Sequence, residues 1–334
     1  MKYLFSGIFI LTSVFLKPAF AQTGYTLIHK IALKGDGKWD YMQMDEPGNR
    51  LFIAHGDRAH VIDLSSYKEL GVVGGLSGAH HVTLTPEFKK GFITNGENNT
   101  TVTVFDYKTL RTIGTIKINH INPDPMCYDS YSKKVYVFCD DSTAVIIDPV
   151  SNRVTGAIAL GGAPDFAMSD GKGLIYNDLE GGNETVVIDV KLKKAVKRFK
   201  LPGHAAPTGL AFDQRNSRLF VSCRGINKLA VLDAGIGKLI TLLPMPKNVD
   251  GVCFDEANKY IFCSGGEGYA TIIKQESANQ YKTIEHLITM PGAKTMELNQ
   301  KNHELYFSAA SFSNSSDKIK PGTFEIRLFK KIDP

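Results

Sequence analysis

Val61-Ile62-Asp63, Val104-Phe105-Asp106, Ile146-Ile147-Asp148, Val187-Ile188-Asp189 and Val231-Leu232-Asp233 are one phrase written five times. Their closing Asp residues stand 43, 42, 41 and 44 positions apart. Ile272-Ile273-Lys274 and Arg327-Leu328-Phe329 are looser sixth and seventh copies. Ahead of each phrase comes an apolar stretch, an Asp- or Asn-rich turn and a short strand of Leu, Phe, Val and Tyr. In the first copy residues 40–44 read as a strand and Asp45-Glu46-Pro47-Gly48-Asn49 as a reversal. Residues 50–54, 59–64 and 69–73 follow as three more strands. Pro, Gly and Asn supply the backbone angles that such a tight turn needs. A period in the low forties containing only strands specifies an all-β fold, a seven-bladed β-propeller whose blades surround a channel.

The two ends complement each other. After Phe324-Glu325-Ile326-Arg327-Leu328-Phe329 the last copy lacks a fourth strand, while residues 25–33 have a strand pattern with no blade of their own. The N-terminal strand is therefore expected to complete the last blade and close the ring. Residues 22–334 then form a single domain, expected to be a monomer.

Residues 1–21 read as a cleavable export signal. Lys2 precedes an apolar run at residues 4–16, and Ala19-Phe20-Ala21 is a small-residue cleavage site. The expected location is periplasmic or secreted, with no membrane span. Without Lys2 and Lys17, 37 basic residues face 34 acidic ones, a charge of about +3 that does not argue for nucleic acid. The basic run at residues 191–200 falls on an expected outer strand, where Lys keeps a sheet edge from pairing. The five Cys include no CxxC, and core packing is their default reading. Cys253 and Cys263 fall on neighbouring strands, and a disulfide between them is left open. No nucleophile elbow, P-loop or dinucleotide fingerprint occurs.

Pro207-Thr208-Gly209-Leu210-Ala211-Phe212-Asp213, Arg218-Leu219-Phe220-Val221, Val249-Asp250-Gly251-Val252-Cys253-Phe254-Asp255 and Thr101-Val102-Thr103-Val104-Phe105-Asp106 carry a resemblance. They resemble the YncE-like family of exported bacterial β-propellers, also called YVTN-repeat proteins. The strict Tyr-Val-Thr-Asn phrase is absent, and Phe92-Ile93-Thr94-Asn95 is its nearest echo. The resemblance implies export and the seven-bladed fold. Some members carry a DNA-binding label, which makes single-stranded DNA an alternative partner. Other seven-bladed propellers include lactonases and a lyase.

In a propeller the residue entering each innermost strand lies nearest the axis. Counting back from each turn gives Asp40, His80, Asp124, Pro164, Thr208, Asp250 and Lys294. The next positions are Tyr41, His81, Pro125, Asp165, Gly209, Gly251 and Thr295. One mouth should thus gather Asp40, Asp124, Asp165 and Asp250 with His80, His81 and Lys294, and Trp39 beside Asp40. The neighbouring loops bring His55, Arg58, Asn95, Glu97, Asn98, Asp140, Asp141, Asn177, Glu180, Arg224, Asn227 and Glu267. Arg58 and Arg224 suit a carboxylate or phosphate of a ligand. Three chemistries fit such a mouth. The carboxylates can simply cap strand amides in a wet channel. Asp40, Asp124 and Asp250 can hold a divalent cation such as Ca²⁺. His80 or His81 can act as acid or base in a lyase or hydrolase. The expected role is binding of a small polar ligand or a partner protein on this face. A longer segment at residues 310–322 is expected to fold over the mouth or hang loose.

Overall fold

The structure, a computed structural model, describes residues 23–96, 100–313 and 318–332. The expected leader at residues 1–21 and the loop residues Glu97 and Asn98 lie outside them. Seven four-stranded antiparallel sheets form a ring. The first blade runs from Trp39–Asp45 at the axis through Arg50–His55 and Arg58–Asp63 to Glu69–Gly74 at the rim. We call these positions strands a to d. No described helix is long and apolar enough to cross a membrane.

The repeated phrase has a local cause. Its Asp ends strand c and accepts amide hydrogens two or three residues ahead, which closes the turn into strand d. Asp63 takes the Ser66 N–H at 2.7 Å, Asp106 the Thr109 N–H at 2.7 Å and Asp189 the Leu192 N–H at 2.9 Å. Strand b repeats an aromatic residue: Phe52, Phe92, Tyr136, Tyr176, Phe220, Phe262 and Tyr306, all buried. Each pairs with the same position of strand a. Each such ring, once sequestered, contributes about 1.5–3 kcal/mol. The core is correspondingly split into clusters between blades, such as Phe52, Val61, Val82 and Phe105 between the first and second.

Ring closure is as expected. Tyr25–Ala32 pairs antiparallel with Glu325–Lys331, with Ile31 opposite Ile326, and is the outer strand of the last blade. The blades are less uniform than the repeat suggests. In the sixth, strands c and d run over Glu267–Ser277 and Gln280–Pro291, and their turn accepts the Arg218 side chain of the fifth blade at Ala278 O and Asn279 Oδ1. All five Cys are free thiols, so Cys253 and Cys263 pack without a bridge. In the 310–322 segment, Phe312 bridges to Ile319 and its ring lies 6.3 Å from Trp39.

Candidate binding site at the channel mouth

Strand register decides which side chains share the mouth. Trp39, Ala79, Pro123, Pro164 and Pro207 pair with equivalent strand-b residues, so the next residue in each blade belongs to one ring. That ring is Asp40, His80, Asp124, Asp165, Thr208, Asp250 and Lys294. The fourth blade therefore contributes Asp165, and Pro164 drops out. Its a-to-b turn is one residue shorter: Asp170 and Leu174 close it where Asp129 and Lys134 close the third. Counting back from that turn shifts the fourth blade by one position.

The ring divides into two electrostatic halves. In one, His80 Nδ1 lies 2.8 Å from Asp40 Oδ2 and 3.5 Å from Asp124 Oδ1. Burial first, and then the Asp40 charge, pushes the Asp124 carboxyl up to about 7, with His80 opposing. Its Oδ1 accepts no hydrogen bond. In the other half Asp250 is neutralised: Arg224 Nη1 donates at 2.9 Å and Lys294 Nζ sits at 2.5 Å. Arg224 also pairs with Glu180. Asp250 is thus not a partner for Asp40 and Asp124 in a cation site, and His80 takes the third place. The ligand atoms of Asp40, His80 and Asp124 lie within 4.8 Å of one another. An imidazole nitrogen beside two carboxylates suits a transition-metal ion such as Mn²⁺ or Zn²⁺ better than Ca²⁺.

Below the ring the channel is plugged. Tyr41 of the first blade reaches across the axis, and its hydroxyl donates to Asp165 Oδ1 of the fourth at 2.9 Å. The Tyr41 ring lies 5.1 Å from His81 and 5.3 Å from Phe166. Burial holds Asp165 well above the usual carboxylate range, and Asp124 and Asp250 add to it. His81 is part of this plug. Its Nδ1 accepts the Met126 N–H at 3.2 Å, and burial pushes its pKa down to about 3. It stays neutral behind the mouth, whereas His80 and Asp124 belong to the ring at the mouth.

The remaining candidates stand outside the ring itself, and Trp39 lines the opening beside Asp40 and His80. Trp39 is buried, with its ring 5.3 Å from Phe324. Arg58 pairs with its neighbour Asp57 at 2.7 Å, whereas Arg224 is held by Asp250 and Glu180. His55, Asn95 and Asn177 are buried in their blades. A second opening of about 590 Å³ lies beside Asp40 and His80, lined also by Gly37, Ser77, Asn122 and Lys294. The sequence placed Tyr41 at a channel position, but nothing local signals that its side chain reaches across to Asp165.

No family model matches the chain, and no curated protein matches it in sequence. Solved structures match in architecture. Hydrazine synthase of Kuenenia stuttgartiensis superposes with a TM-score of 0.70 at 17% identity, over 82% of this chain and 94% of that one. U3-55K gives 0.76 at 8% identity, over 93% and 100%. A chain of the mitotic checkpoint complex gives 0.75 at 11% identity, over 100% of both. Identities this low carry the fold alone. The fold by itself specifies neither a ligand nor an activity.

Proposed function

We propose that this chain is an exported, YncE-like binding protein. Its channel mouth recognises a small polar ligand through a positively charged group, seated between Asp40 and Asp124. The observation that carries this reading is the convergence of Asp40, His80 and Asp124, whose ligand atoms lie within 4.8 Å of one another. Asp250 already has two cations in direct contact, whereas Asp40 and Asp124 have the His80 imidazole between them and feel the Lys294 ammonium from farther off. That half of the mouth attracts a ligand amine or a divalent cation and repels a phosphate backbone, which counts against nucleic acid here.

Thermal denaturation across ligand classes tests the reading. Divalent cations and small amines should raise the melting temperature in proportion to the logarithm of concentration, and anions of similar size should not. A set in which only anions stabilise would overturn it. The Asp124 carboxyl, pushed up to about 7 beside His80, favours a second reading as a lyase or hydrolase. Turnover lost in both Asp124→Asn and His80→Gln would establish that reading.

A further inference from the structure

Beyond the Tyr41 plug the channel opens again, at the a-to-b turns, into a cavity of about 570 Å³. That size falls within the range of about 300–1,000 Å³ typical of small-molecule sites. Tyr41 and Phe166, with ring centroids 5.3 Å apart, line it at the plug. Tyr128, Phe212, Met44 and Met168 add apolar surface along the wall. Phe166 and these four pack against clusters between blades and stay half-buried, so packing accounts for part of each side chain and the cavity takes another part.

The charge of the wall has one sign. None of the chain's 39 Lys and Arg residues lines the cavity, whereas Glu46 and Glu297 do. Asp45 and Asp250 also reach the wall, and cations neutralise both: Arg50 for Asp45, Arg224 and Lys294 for Asp250. Lys259 approaches one wall ring without lining the cavity, its Nζ 5.6 Å from the centroid of Phe254. Glu297 has no such partner among the described residues. Burial pushes its carboxyl up to about 8; the Leu298 N–H opposes this and the Glu46 charge adds to it. Glu46 comes from the first blade, and its Oε1 accepts the Gln300 N–H of the seventh at 3.2 Å, which fixes a second carboxylate near Glu297.

A carboxyl group without a counter-ion, in a cavity walled by aromatic rings and thioethers, is complementary to a cation that carries its own apolar body. Ring faces attract such a cation, and thioethers adapt to its shape. A bare metal ion would leave the apolar wall unused, and an anion would meet only carboxylates. We propose that this cavity binds a small organic cation, an aryl or alkyl ammonium, with Glu297 as its counter-ion and Phe166 and Phe212 against its apolar body. Asp40, His80 and Asp124 line no part of it, so it is separate from the site at the mouth.

The test is titration calorimetry with benzyltrimethylammonium at pH 9, above the Glu297 value, with benzyl alcohol and benzoate as the uncharged and anionic counterparts. A quaternary ammonium has no N–H to donate, so its binding reads charge and ring faces alone. The protein should bind one equivalent of the cation at least tenfold more tightly than either counterpart. Glu297→Gln, which keeps the size of the side chain, should weaken that binding at least tenfold, and Phe212→Leu at least threefold. Asp124→Asn, at the opposite mouth, should bind the cation as wild type does. Absence of saturable binding at millimolar concentration overturns the proposal, as does benzoate binding equally tightly. Unchanged affinity in Glu297→Gln, or binding lost in Asp124→Asn, overturns it too. Should Glu297→Gln fold poorly, the preference of the wild type for the cation over benzoate and the loss in Phe212→Leu decide.

Discussion

Two buried imidazoles and one crowded carboxyl set opposite pH dependences. His81 is pushed down to about 3, by burial and then by His80. His55 is pushed down to about 4 by burial and then by His60, whose Nε2 lies 3.1 Å from His55 Nδ1. Both are neutral in the fold, and the unfolded chain takes the proton first. Their contribution is complete above the unfolded value of about 6.5 and is lost as pH falls towards the folded values, at about 1.4 kcal/mol for each pH unit between the two. His81→Gln keeps an acceptor for the Met126 N–H and removes the titration. Its melting temperature should therefore fall less steeply than wild type between pH 6.5 and pH 4, and an equally steep fall would contradict the account of His81. Asp124 works the other way. Its folded value, about 7, lies above the unfolded one, so its ionised form costs stability that accrues from pH 4 upward. Asp124→Asn should be more stable than wild type at pH 8, by up to a few kcal/mol. That gain should vanish near pH 4, as denaturant midpoints at the two pH values would show. The sequence placed His80 and His81 side by side as equal candidates. Only the fold separates an imidazole that faces the mouth from one that caps a backbone amide behind it.

At the scale of elements, the repeat period made strands and blade order legible, and the unmatched first and last strands made the closure legible. What the period did not show was irregularity inside a repeat. A turn one residue shorter, Asp170–Leu174, moved Asp165 into the mouth ring. A count anchored on the Pro that enters strand a, Pro123, Pro164 or Pro207, would have found it. The N-terminal strand holds the ring through Tyr25 and Ile31, both buried. The Tyr25 hydroxyl donates to His303 O at 3.1 Å, and its ring packs on Phe262 at 5.5 Å. Ile31→Ala should cost about 2–4 kcal/mol, read from the denaturant midpoint. Deleting residues 25–32 should lower the melting temperature further and bare the edge of Glu325–Lys331. An exposed edge recruits other chains, so the deletion variant should elute as larger species in size-exclusion chromatography. A deletion variant that melts and elutes like wild type would refute the closure.

The whole molecule is a ring whose axis is blocked in the middle by Tyr41, His81 and Phe166, with a charged mouth at one end and a cavity of about 570 Å³ at the a-to-b turns of the other. That division was not legible in the sequence, because it depends on side chains from the first, second and fourth blades meeting at the axis. The gathering of Asp40, His80 and Asp124 was legible, because a repeat carries equivalent positions to equivalent places. The release of Asp250 from that group was not, because Arg224 reaches it from a different loop. Calorimetric titration of the wild type and Asp124→Asn at pH 8, with Mn²⁺ and with a short aliphatic diamine, tests the mouth most directly. We expect saturable one-to-one binding of at least one of the two, weakened tenfold or more in Asp124→Asn. No binding of either at millimolar concentration, or equal binding by both proteins, would contradict the account.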